Sequence, residues 1–219
     1  MSRSRAVLFS TCDSSCAWRV RIALELKKID YDFGPVDCRD CQDYSCLHRL
    51  NPSGKIPALA HNGNLISESL AILDYLESIC PQPNLYPKDV LQRATVLSIC
   101  EIIISGIQPM QNSCALWKLT ELIGEGGYEK SLAFAQLYIQ KGFEALEEIL
   151  QDCAGKYCMG DTVTIADCCL RPQVYNARIS YGVDVSQYPT IDAVDTSLSQ
   201  LYAFRISHPQ MQPDCEQLF

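Results

Sequence analysis

Hydrophobic and polar positions in the first 80 residues alternate between strand-like and helix-like patterns. Residues 5–9 predict a short buried strand, and residues 31–36 predict a second one. Between them, residues 16–28 predict an amphipathic helix with charged residues among the apolar ones. This order is typical of two parallel strands that are joined by a crossover helix.

Two more short strands and a helix follow in the same region. The strands are predicted at residues 56–60 and 64–67, and the Asn62–Gly63 dipeptide between them is a strong hairpin signal. After Glu68 the apolar residues recur with helical spacing. The complete order is βαβ and then ββα, which predicts a small α/β domain over residues 1–80.

A proline-rich stretch separates this domain from a helical one. Three prolines fall between residues 81 and 87, a density that a regular helix does not tolerate, so we place a linker at residues 81–89. The pattern is helical from there to the C-terminus, which predicts an all-helical domain over residues 90–219. Its predicted helices cover about residues 90–112 and 128–153, and a third begins near Thr164. There Thr164 and Asp167 have capping-box spacing, with aspartate in the usual glutamate position.

Composition narrows the class of protein. The 219-residue chain has a formal net charge of −8, with 47% hydrophobic and 20% charged residues, as an ordinary globular protein has. The negative charge offers no general attraction to nucleic acid or anionic membranes. No uninterrupted apolar run approaches about 18 residues, and residues 1–10 lack the features of a secretory signal. We therefore expect a cytoplasmic protein with no nucleic-acid or membrane partner.

Thirteen cysteines are distributed irregularly along the chain. Their number is odd, and the chain is too long to depend on a disulfide scaffold. Several lie in apolar segments, such as Cys100 and the pair Cys168–Cys169. Because a buried free cysteine behaves as a small hydrophobic residue, we interpret most of them as core residues in a reducing compartment.

A cysteine-rich loop raises the question of a metal site. We interpret residues 37–50 as a polar loop with a short helix, and this segment contains Cys38, Cys41, Cys46 and His48. These residue types are zinc ligands, but their C-x2-C-x4-C-x-H spacing does not repeat a familiar ligand pair. We therefore predict incidental cysteines in a loop and no metal.

The segment TCDSSC at residues 11–16 concentrates hydroxyl and thiol groups between the first strand and the first helix. A helix N-terminus offers free N–H groups and a positive dipole end, and both favour an anion such as a thiolate. That thiolate could belong to Cys16 or to a bound thiol cofactor. The alternative is that Ser14 or Ser15 only caps the helix. The cluster by itself leaves both interpretations open.

Two further features favour a bound thiol cofactor. The Ile56–Pro57 bond precedes a predicted strand at a position suited to a cis proline, which would expose the backbone of Ile56 to a ligand. Glu68 and Ser69 stand where the last strand runs into a helix N-terminus. There Ser69 can bond a carboxylate, and Glu68 can hold an ammonium group. Together these features indicate a peptide-like ligand that carries a thiol and both charged groups.

These residues also resemble a known family. The stretch SSCAWRVRIAL at residues 14–24 is similar to the zeta class of glutathione transferases, whose eponymous activity is maleylacetoacetate isomerase. The similarity continues through SGIQPMQN at residues 105–112 and TIAD at residues 164–167, and it covers essentially the whole chain. The resemblance implies a thioredoxin-like N-terminal domain, an all-α C-terminal domain, glutathione as cofactor and a homodimer.

The resemblance also implies the site residues. Ser14, Ser15 and Cys16 fall on the catalytic motif, and Ser14 is the first choice for stabilising the glutathione thiolate. Glu68 stands where the class often has glutamine. The glutathione-binding positions implied are Ser14, Ser15, Cys16, Ala17, Trp18, Arg19, Gln42, Ile56, Glu68, Ser69, Gln108, Asn112, Ser113 and Cys114.

Two departures from the family concern the substrate. Asp13 stands where an arginine commonly precedes the two serines, which lowers the positive potential beside an acidic substrate. Arg178 is displaced by about one position from the arginine expected to bind the substrate carboxylate. Arg19 and Arg178 are the candidates for substrate binding, and Arg19 could equally be a solvated helix residue or an ion-pair partner.

The implied reaction is the glutathione-dependent isomerisation of maleylacetoacetate to fumarylacetoacetate, a step of tyrosine and phenylalanine catabolism. The resemblance also implies transfer of glutathione to small electrophiles such as α-haloacids. One alternative is a thiol–disulfide oxidoreductase that uses Cys16, although three residues separate Cys12 and Cys16 and a C-x-x-C pair is absent. The other alternative is a protein that binds glutathione without turnover.

Overall fold

The computed structural model describes residues 5–36, 48 and 50–215. The chain forms two compact units, one of Met1–Leu85 with Gln200–Phe219 and the other of Tyr86–Ser199. The break after Leu85 lies within the predicted linker. Residues 200–219, which we assigned to the helical domain, belong instead to the first unit.

The first unit contains a four-stranded sheet with a helix after its first and last strands. The strand order is β2-β1-β3-β4, with β1 parallel to β2 and antiparallel to β3. This topology confirms the predicted βαβ-ββα order. The elements are β1 Ala6–Ser10, α1 Ser15–Leu26, β2 Tyr31–Pro35, β3 Ala58–His61, β4 Asn64–Ser67 and α2 Ser69–Ile79.

The turn between β3 and β4 follows its sequence signal. Asn62 and Gly63 have φ values of 50° and 77°, and positive φ at both central residues is what a type I′ hairpin turn requires. This turn fixes the register in which Leu59 pairs with Ile66. It thereby sets where β4 ends and where α2 begins.

Helix α1 is more deeply buried than its pattern predicted. Leu24, Ile22 and Trp18 are at most 1% exposed, as expected for the apolar face. The charged residues between them are buried as well, since Arg19 is 1% exposed and Arg21 is fully buried. The predicted helix is therefore present, and its charged residues are buried together with its apolar ones. Helix α2 and the C-terminal segment pack against this helix.

The C-terminal segment packs against α1. It contains the short helix α8 Tyr202–Ile206 and a 3-10 turn at Pro209–Met211. The Trp18 indole Nε1 donates to Ser207 Oγ over 3.0 Å, and its ring lies edge-on to His208 with 5.1 Å between centroids. These buried contacts are the reason that residues 200–215 join the first unit.

The second unit is helical. The predicted helix over residues 90–112 stays α-helical only as far as Glu101 and continues as a π-helical turn and then a 3-10 turn. Pro109 lies in the 3-10 turn, and because proline has no backbone N–H, it cannot make the hydrogen bond that would continue the α-helix. The elements are α3 Val90–Glu101, the π turn Ile102–Ile107, the 3-10 turn Gln108–Gln111, α4 Ser113–Ile123, α5 Gly127–Cys153, α6 Ile165–Ile179, the 3-10 turn Val185–Gln187 and α7 Pro189–Ser199.

The predicted capping box is present at the start of α6. The Asp167 carboxylate accepts from Thr164 N over 2.7 Å and from Cys158 N over 2.8 Å. Asp167 is fully buried, and burial raises its pKa although these bonds act in the opposite direction. The box fixes where the longest buried run of the second unit begins.

One helical stretch is more apolar than we expected, since the sequence contains no uninterrupted apolar run of about 18 residues. The helical stretch Val90–Ile123 has an 18-residue window of mean hydropathy 1.6, which by length and composition alone is enough to cross a membrane. One such stretch is weak support for a span, because core helices pass the same test. Only 28% of that window is buried within the single chain.

Candidate functional site

The Ser14 hydroxyl lies at the N-terminus of α1. Its backbone is extended, with φ −69° and ψ 110°, and its Oγ accepts from Ala17 N over 3.2 Å. The helix-cap interpretation of Ser14 is therefore correct. A hydroxyl has one proton and two lone pairs, so accepting the cap bond leaves its proton available. The cap orients Ser14 and still allows it to donate to an anion at the helix end.

Sequence reasoning missed the residue that fixes the loop before Ser14. The Arg21 guanidinium donates to Thr11 O over 3.0 Å, to Cys12 O over 2.9 Å and to Ser10 Oγ over 2.9 Å. It also donates to Ser207 O over 3.2 Å. Burial lowers the pKa of Arg21 to about 10, which still leaves it charged at neutral pH. Four acceptors thus hold the loop and the C-terminal segment to one cation.

Acidic groups flank the same loop. Cys12 N donates to Asp214 Oδ2 over 2.8 Å, and Thr11 Oγ1 donates to the exposed carboxylate of Asp13 over 2.7 Å. Burial, followed by the charges of Asp214 and Asp13, raises the pKa of the Cys12 thiol to about 12. Cys12 is therefore a neutral, 1%-exposed core thiol. Asp13 places a negative charge directly before the helix N-terminus.

The other residues of the motif occupy the first turn of α1. Ser15 is buried, and Cys16 is a partly exposed free thiol. Ala17 and Trp18 are buried in the core beneath the helix start. Ala17 contributes through its backbone N–H to the cap, and Trp18 anchors the C-terminal segment. Among residues 14–18, Ser14 and Cys16 are therefore the residues whose hydroxyl or thiol side chains are partly exposed.

The second part of the first-unit site lies around β3 and β4. The Ile56–Pro57 peptide bond is cis, as predicted, and Ile56 is half-buried. Glu68 is exposed and precedes α2 with φ 68° and ψ 120°, a conformation that costs a residue other than glycine about 1–3 kcal/mol. Ser69 follows as the first residue of α2 and is 5% exposed. Backbone strain before a helix N-terminus is typical of ligand sites.

Among the described residues, Arg19 is neither the solvated helix residue nor the ion-pair partner that the sequence suggested as alternatives. It is 1% exposed, and its Nη1 donates to Ser69 Oγ over 3.2 Å. Its Nε and Nη2 are buried without a hydrogen-bond partner among residues 5–36, 48 and 50–215. Arg19 therefore brings an unneutralised cation to the start of α2.

The predicted helical-domain residues belong to the second unit. Gln108 begins the 3-10 turn, and Asn112 caps α4 by accepting from Ala115 N over 3.2 Å. Ser113 and Cys114 form the first turn of α4. Asn112 thus has a structural role of its own, which its position before a helix start could have indicated.

Arg178 is engaged in ion pairs within the second unit. Its guanidinium bonds the carboxylates of Asp192 and Asp195, the latter over 3.0 Å. Arg171, which sequence reasoning did not single out, donates to Asp195 over 2.8 Å. Burial raises the pKa of Asp195, and the two arginines act against that rise. The positive charge of Arg178 is therefore already matched by carboxylates.

Cys38, Cys41 and Cys46, which we interpreted as incidental loop cysteines, lie outside the described residues, as does Gln42. Within the part of the chain that the structure describes, no group of three or more His, Cys, Asp or Glu side chains could hold a metal ion. The described cysteines predicted to be core residues include Cys100, Cys168 and Cys169, which are completely buried. Cys158 is completely buried as well, and the thiol pKa of both Cys100 and Cys158 is raised.

Known proteins are similar to this chain in sequence. Residues 13–79 match the family described as "Glutathione S-transferase, N-terminal domain". The protein named "Maleylacetoacetate isomerase" from Rattus norvegicus is 48% identical over 217 residues, which cover 98% of this chain and 97% of the rat protein.

Solved structures are similar over nearly the same length. A maleylacetoacetate isomerase from Anaeromyxobacter dehalogenans, with dicarboxyethyl glutathione and citrate in its active site, has a TM-score of 0.87 and 38% identity, covering 96% of this chain and 97% of that one. A maleyl pyruvate isomerase, described as a bacterial glutathione S-transferase in the zeta class, has a TM-score of 0.88 and 34% identity. It covers 95% of this chain and 99% of its own.

Replacing Arg21 by lysine tests how the loop is held. We expect the free energy of unfolding to fall by about 3 kcal/mol, because an ammonium has too few donors for four acceptors. Urea denaturation measures the change, and amide exchange at residues 11–14 should become faster. The exposed control Arg205→Lys should change the free energy by less than about 0.5 kcal/mol. Wild-type stability and exchange in Arg21→Lys would contradict this role.

Proposed function

The chain belongs to the zeta class of glutathione transferases, and on this premise we propose that it isomerises maleylacetoacetate to fumarylacetoacetate with glutathione as cofactor. The observation that carries the proposal is the open N-terminus of α1, where the capping Ser14 keeps a hydroxyl proton to donate. The near-full-length similarity to a rat maleylacetoacetate isomerase supports the same reaction.

The residues of the first unit fit glutathione. Ser14 offers a hydroxyl donor for a thiolate, and the half-buried Ile56 lies just before β3, where its backbone can bond the peptide part of glutathione. Ser69 and the N-terminus of α2 suit the carboxylate of the γ-glutamyl end, and the exposed Glu68 suits its ammonium group. The buried, unpartnered donors of Arg19 favour an anion at this same end.

Bound glutathione supplies a thiolate that adds reversibly to the conjugated cis double bond and so allows rotation to the trans isomer. The chain must keep this sulfur ionised at neutral pH. A free thiol has a pKa near 8.5, and lowering it by two units requires about 2.7 kcal/mol. The Ser14 hydroxyl and the positive end of α1 together supply a stabilisation of this size.

The charges of Asp13 in the first unit and Arg178 in the second unit bear on the choice of substrate. Asp13 lies directly before Ser14 and is exposed, so it repels a substrate with two carboxylates. The Arg178 guanidinium is ion-paired with Asp192 and Asp195, and it would have to break these ion pairs to bind a substrate carboxylate. We infer that the enzyme also transfers glutathione to small electrophiles with less negative charge, α-haloacids among them.

The oxidoreductase alternative has less support. It needs Cys16 as the attacking thiol and a second thiol to resolve the mixed disulfide. Cys12 is 1% exposed and has a pKa raised to about 12, so it is a poor resolving thiol. Ser14, in contrast, is placed to serve a thiolate that arrives with the ligand.

We also propose a cytoplasmic homodimer that acts in tyrosine and phenylalanine catabolism. The most apolar 18-residue window of Val90–Ile123 is only 28% buried in the single chain, and Val90 and Leu91 in the same stretch are 76% and 75% exposed. A second copy of the chain would cover such residues.

Substitution of Ser14 separates the proposed mechanism from its alternatives. Ser14→Ala should lower the rate of glutathione-dependent isomerisation of maleylacetone by at least about tenfold, because the donor to the thiolate is lost. Ser14→Thr keeps a hydroxyl and should retain more activity. Cys16→Ala should stay within about threefold of wild type.

Steady-state kinetics with and without glutathione measures these rates. An undiminished rate in Ser14→Ala, or full activity without glutathione, would contradict the proposal. Loss of activity in Cys16→Ala, together with reduction of glutathione mixed disulfides by the wild type, would favour the oxidoreductase instead.

Asp13→Asn tests the electrostatic effect on substrate choice. Removing the charge should raise kcat/KM for a dianionic maleyl substrate by about threefold at low ionic strength, and added salt should shrink the gain. A neutral chloro-aromatic substrate should show no change. Asp30→Asn, at another exposed position of the same unit, is the control and should have no effect. An equal gain for neutral and dianionic substrates would count against a charge effect.

Sedimentation equilibrium tests the dimer. The wild type should have twice the 24.5 kDa chain mass, because a second copy covers the apolar stretch. Leu91→Glu should shift the protein toward the monomer, since the new charge would be buried on association. Leu137→Glu, at an exposed apolar position outside the stretch, should leave the mass unchanged. A monomeric wild type would overturn the assignment.

A further inference from the structure

Among the described residues of the first unit, the side chains of Arg19, Arg21 and Lys27 are buried cations, and they differ in how many of their donors are bonded. Lys27 Nζ contacts Glu77 over 2.7 Å and donates to the carbonyls of Cys80 and Pro83 over 2.6 and 3.0 Å. The Arg21 guanidinium meets four acceptors. The charge of Lys27 is therefore paired with the Glu77 carboxylate, and the donors of Arg21 are bonded to acceptors of the protein.

Arg19 differs from both. It is 1% exposed, and its Nη1 donates to Ser69 Oγ over 3.2 Å, whereas its Nε and Nη2 are buried without a hydrogen-bond partner among the described residues. A buried cation with unmet donors destabilises a folded chain. A protein that keeps one has an anion to place there, and within the described part of the chain no carboxylate pairs with it.

The bond to Ser69 shows where that anion belongs. Ser69 is the first residue of the 11-residue helix α2, whose first turn has free N–H groups and the positive end of the helix dipole, and no described side chain caps it. Because the Ser69 oxygen accepts from Arg19, its own proton is left to donate to a ligand. The Arg19 cation, the Ser69 hydroxyl proton and the N-terminus of α2 therefore all favour an anion at the start of α2.

We propose that Arg19 is a positioning residue that acts through Ser69 on the α-carboxylate of the γ-glutamyl end of glutathione. Its hydrogen bond turns the Ser69 hydroxyl toward the ligand, and its buried charge supplies the attraction. Arg19 is too deeply buried to anchor the isomerisation substrate, which was our sequence-based expectation. This inference rests on the proposed function, since it takes glutathione as the ligand.

The proposal makes cofactor affinity depend on one carboxylate. Glutathione and its decarboxylated analogue, in which 4-aminobutyrate replaces the γ-glutamyl residue, carry the same thiol and the same glycine end. The wild type should bind glutathione at least about 30-fold more tightly than the analogue, as expected for a charged hydrogen-bonded contact.

Arg19→Met removes the charge and keeps much of the side-chain volume. Isothermal titration calorimetry should show glutathione binding weakened by about 30-fold and binding of the analogue changed by less than about threefold. Arg19→Lys keeps the charge but lacks the planar guanidinium, so its glutathione affinity should lie between those of the wild type and Arg19→Met. The control Arg205→Met, at an exposed position of the same unit, should bind as the wild type does.

Stability and kinetics separate this role from a structural one. Without glutathione, the melting temperature of Arg19→Met should equal or exceed that of the wild type, because an unpaired buried charge has been replaced by an apolar group. At saturating glutathione its kcat should stay within about threefold, while KM for glutathione rises about 30-fold.

Each outcome decides between the two proposals. If the wild type does not bind glutathione, the proposed function fails, and this inference fails with it. If the wild type binds glutathione and Arg19→Met loses affinity for glutathione and the analogue equally, only this inference fails. An Arg19→Met protein that is unfolded, or markedly less stable without ligand, would assign Arg19 a structural role and overturn the inference as well.

Discussion

The turn from β1 into α1 must be held rigidly while the helix N-terminus stays open, and the Arg21 guanidinium meets both requirements. It bonds the carbonyls of Thr11 and Cys12 from inside the protein, so the outer side of the loop is left for Ser14. The same cation bonds Ser207 O, which ties the C-terminal segment to the loop. The position of the Ser14 hydroxyl, and hence the chemistry at the helix end, depends on this buried charge.

The features that the sequence predicted correctly depend on neighbouring residues. The βαβ-ββα order, the Asn62–Gly63 turn, the capping box of Thr164 and the cis bond before Pro57 each follow from patterns within a few positions. Ser14 is a special case, because its two interpretations are compatible. A hydroxyl that accepts a cap bond still has a proton to donate.

The features that were missed depend on contacts between distant parts of the chain. An arginine within a helical pattern suggests a solvated face, and nothing near Arg21 indicates that Ser207, 186 residues away, covers it. In the same way, the pairing of Arg178 requires the packing of α7 against α6, which brings Asp192 and Asp195 to it. Local patterns locate chemical groups, but burial and charge pairing are decided by the tertiary fold.

A chain with a net charge of −8 binds an anionic cofactor only if its positive charges are concentrated where the cofactor lies. In the first unit Arg19 is such a charge, and because it is buried, water and salt screen it weakly. We propose that the start of α1 holds the glutathione sulfur as a thiolate, and ultraviolet titration of the bound thiol in the wild-type complex measures its pKa. The thiol pKa should lie at least about one unit below that of free glutathione, and an unchanged thiol pKa would show that the helix start does not stabilise the thiolate.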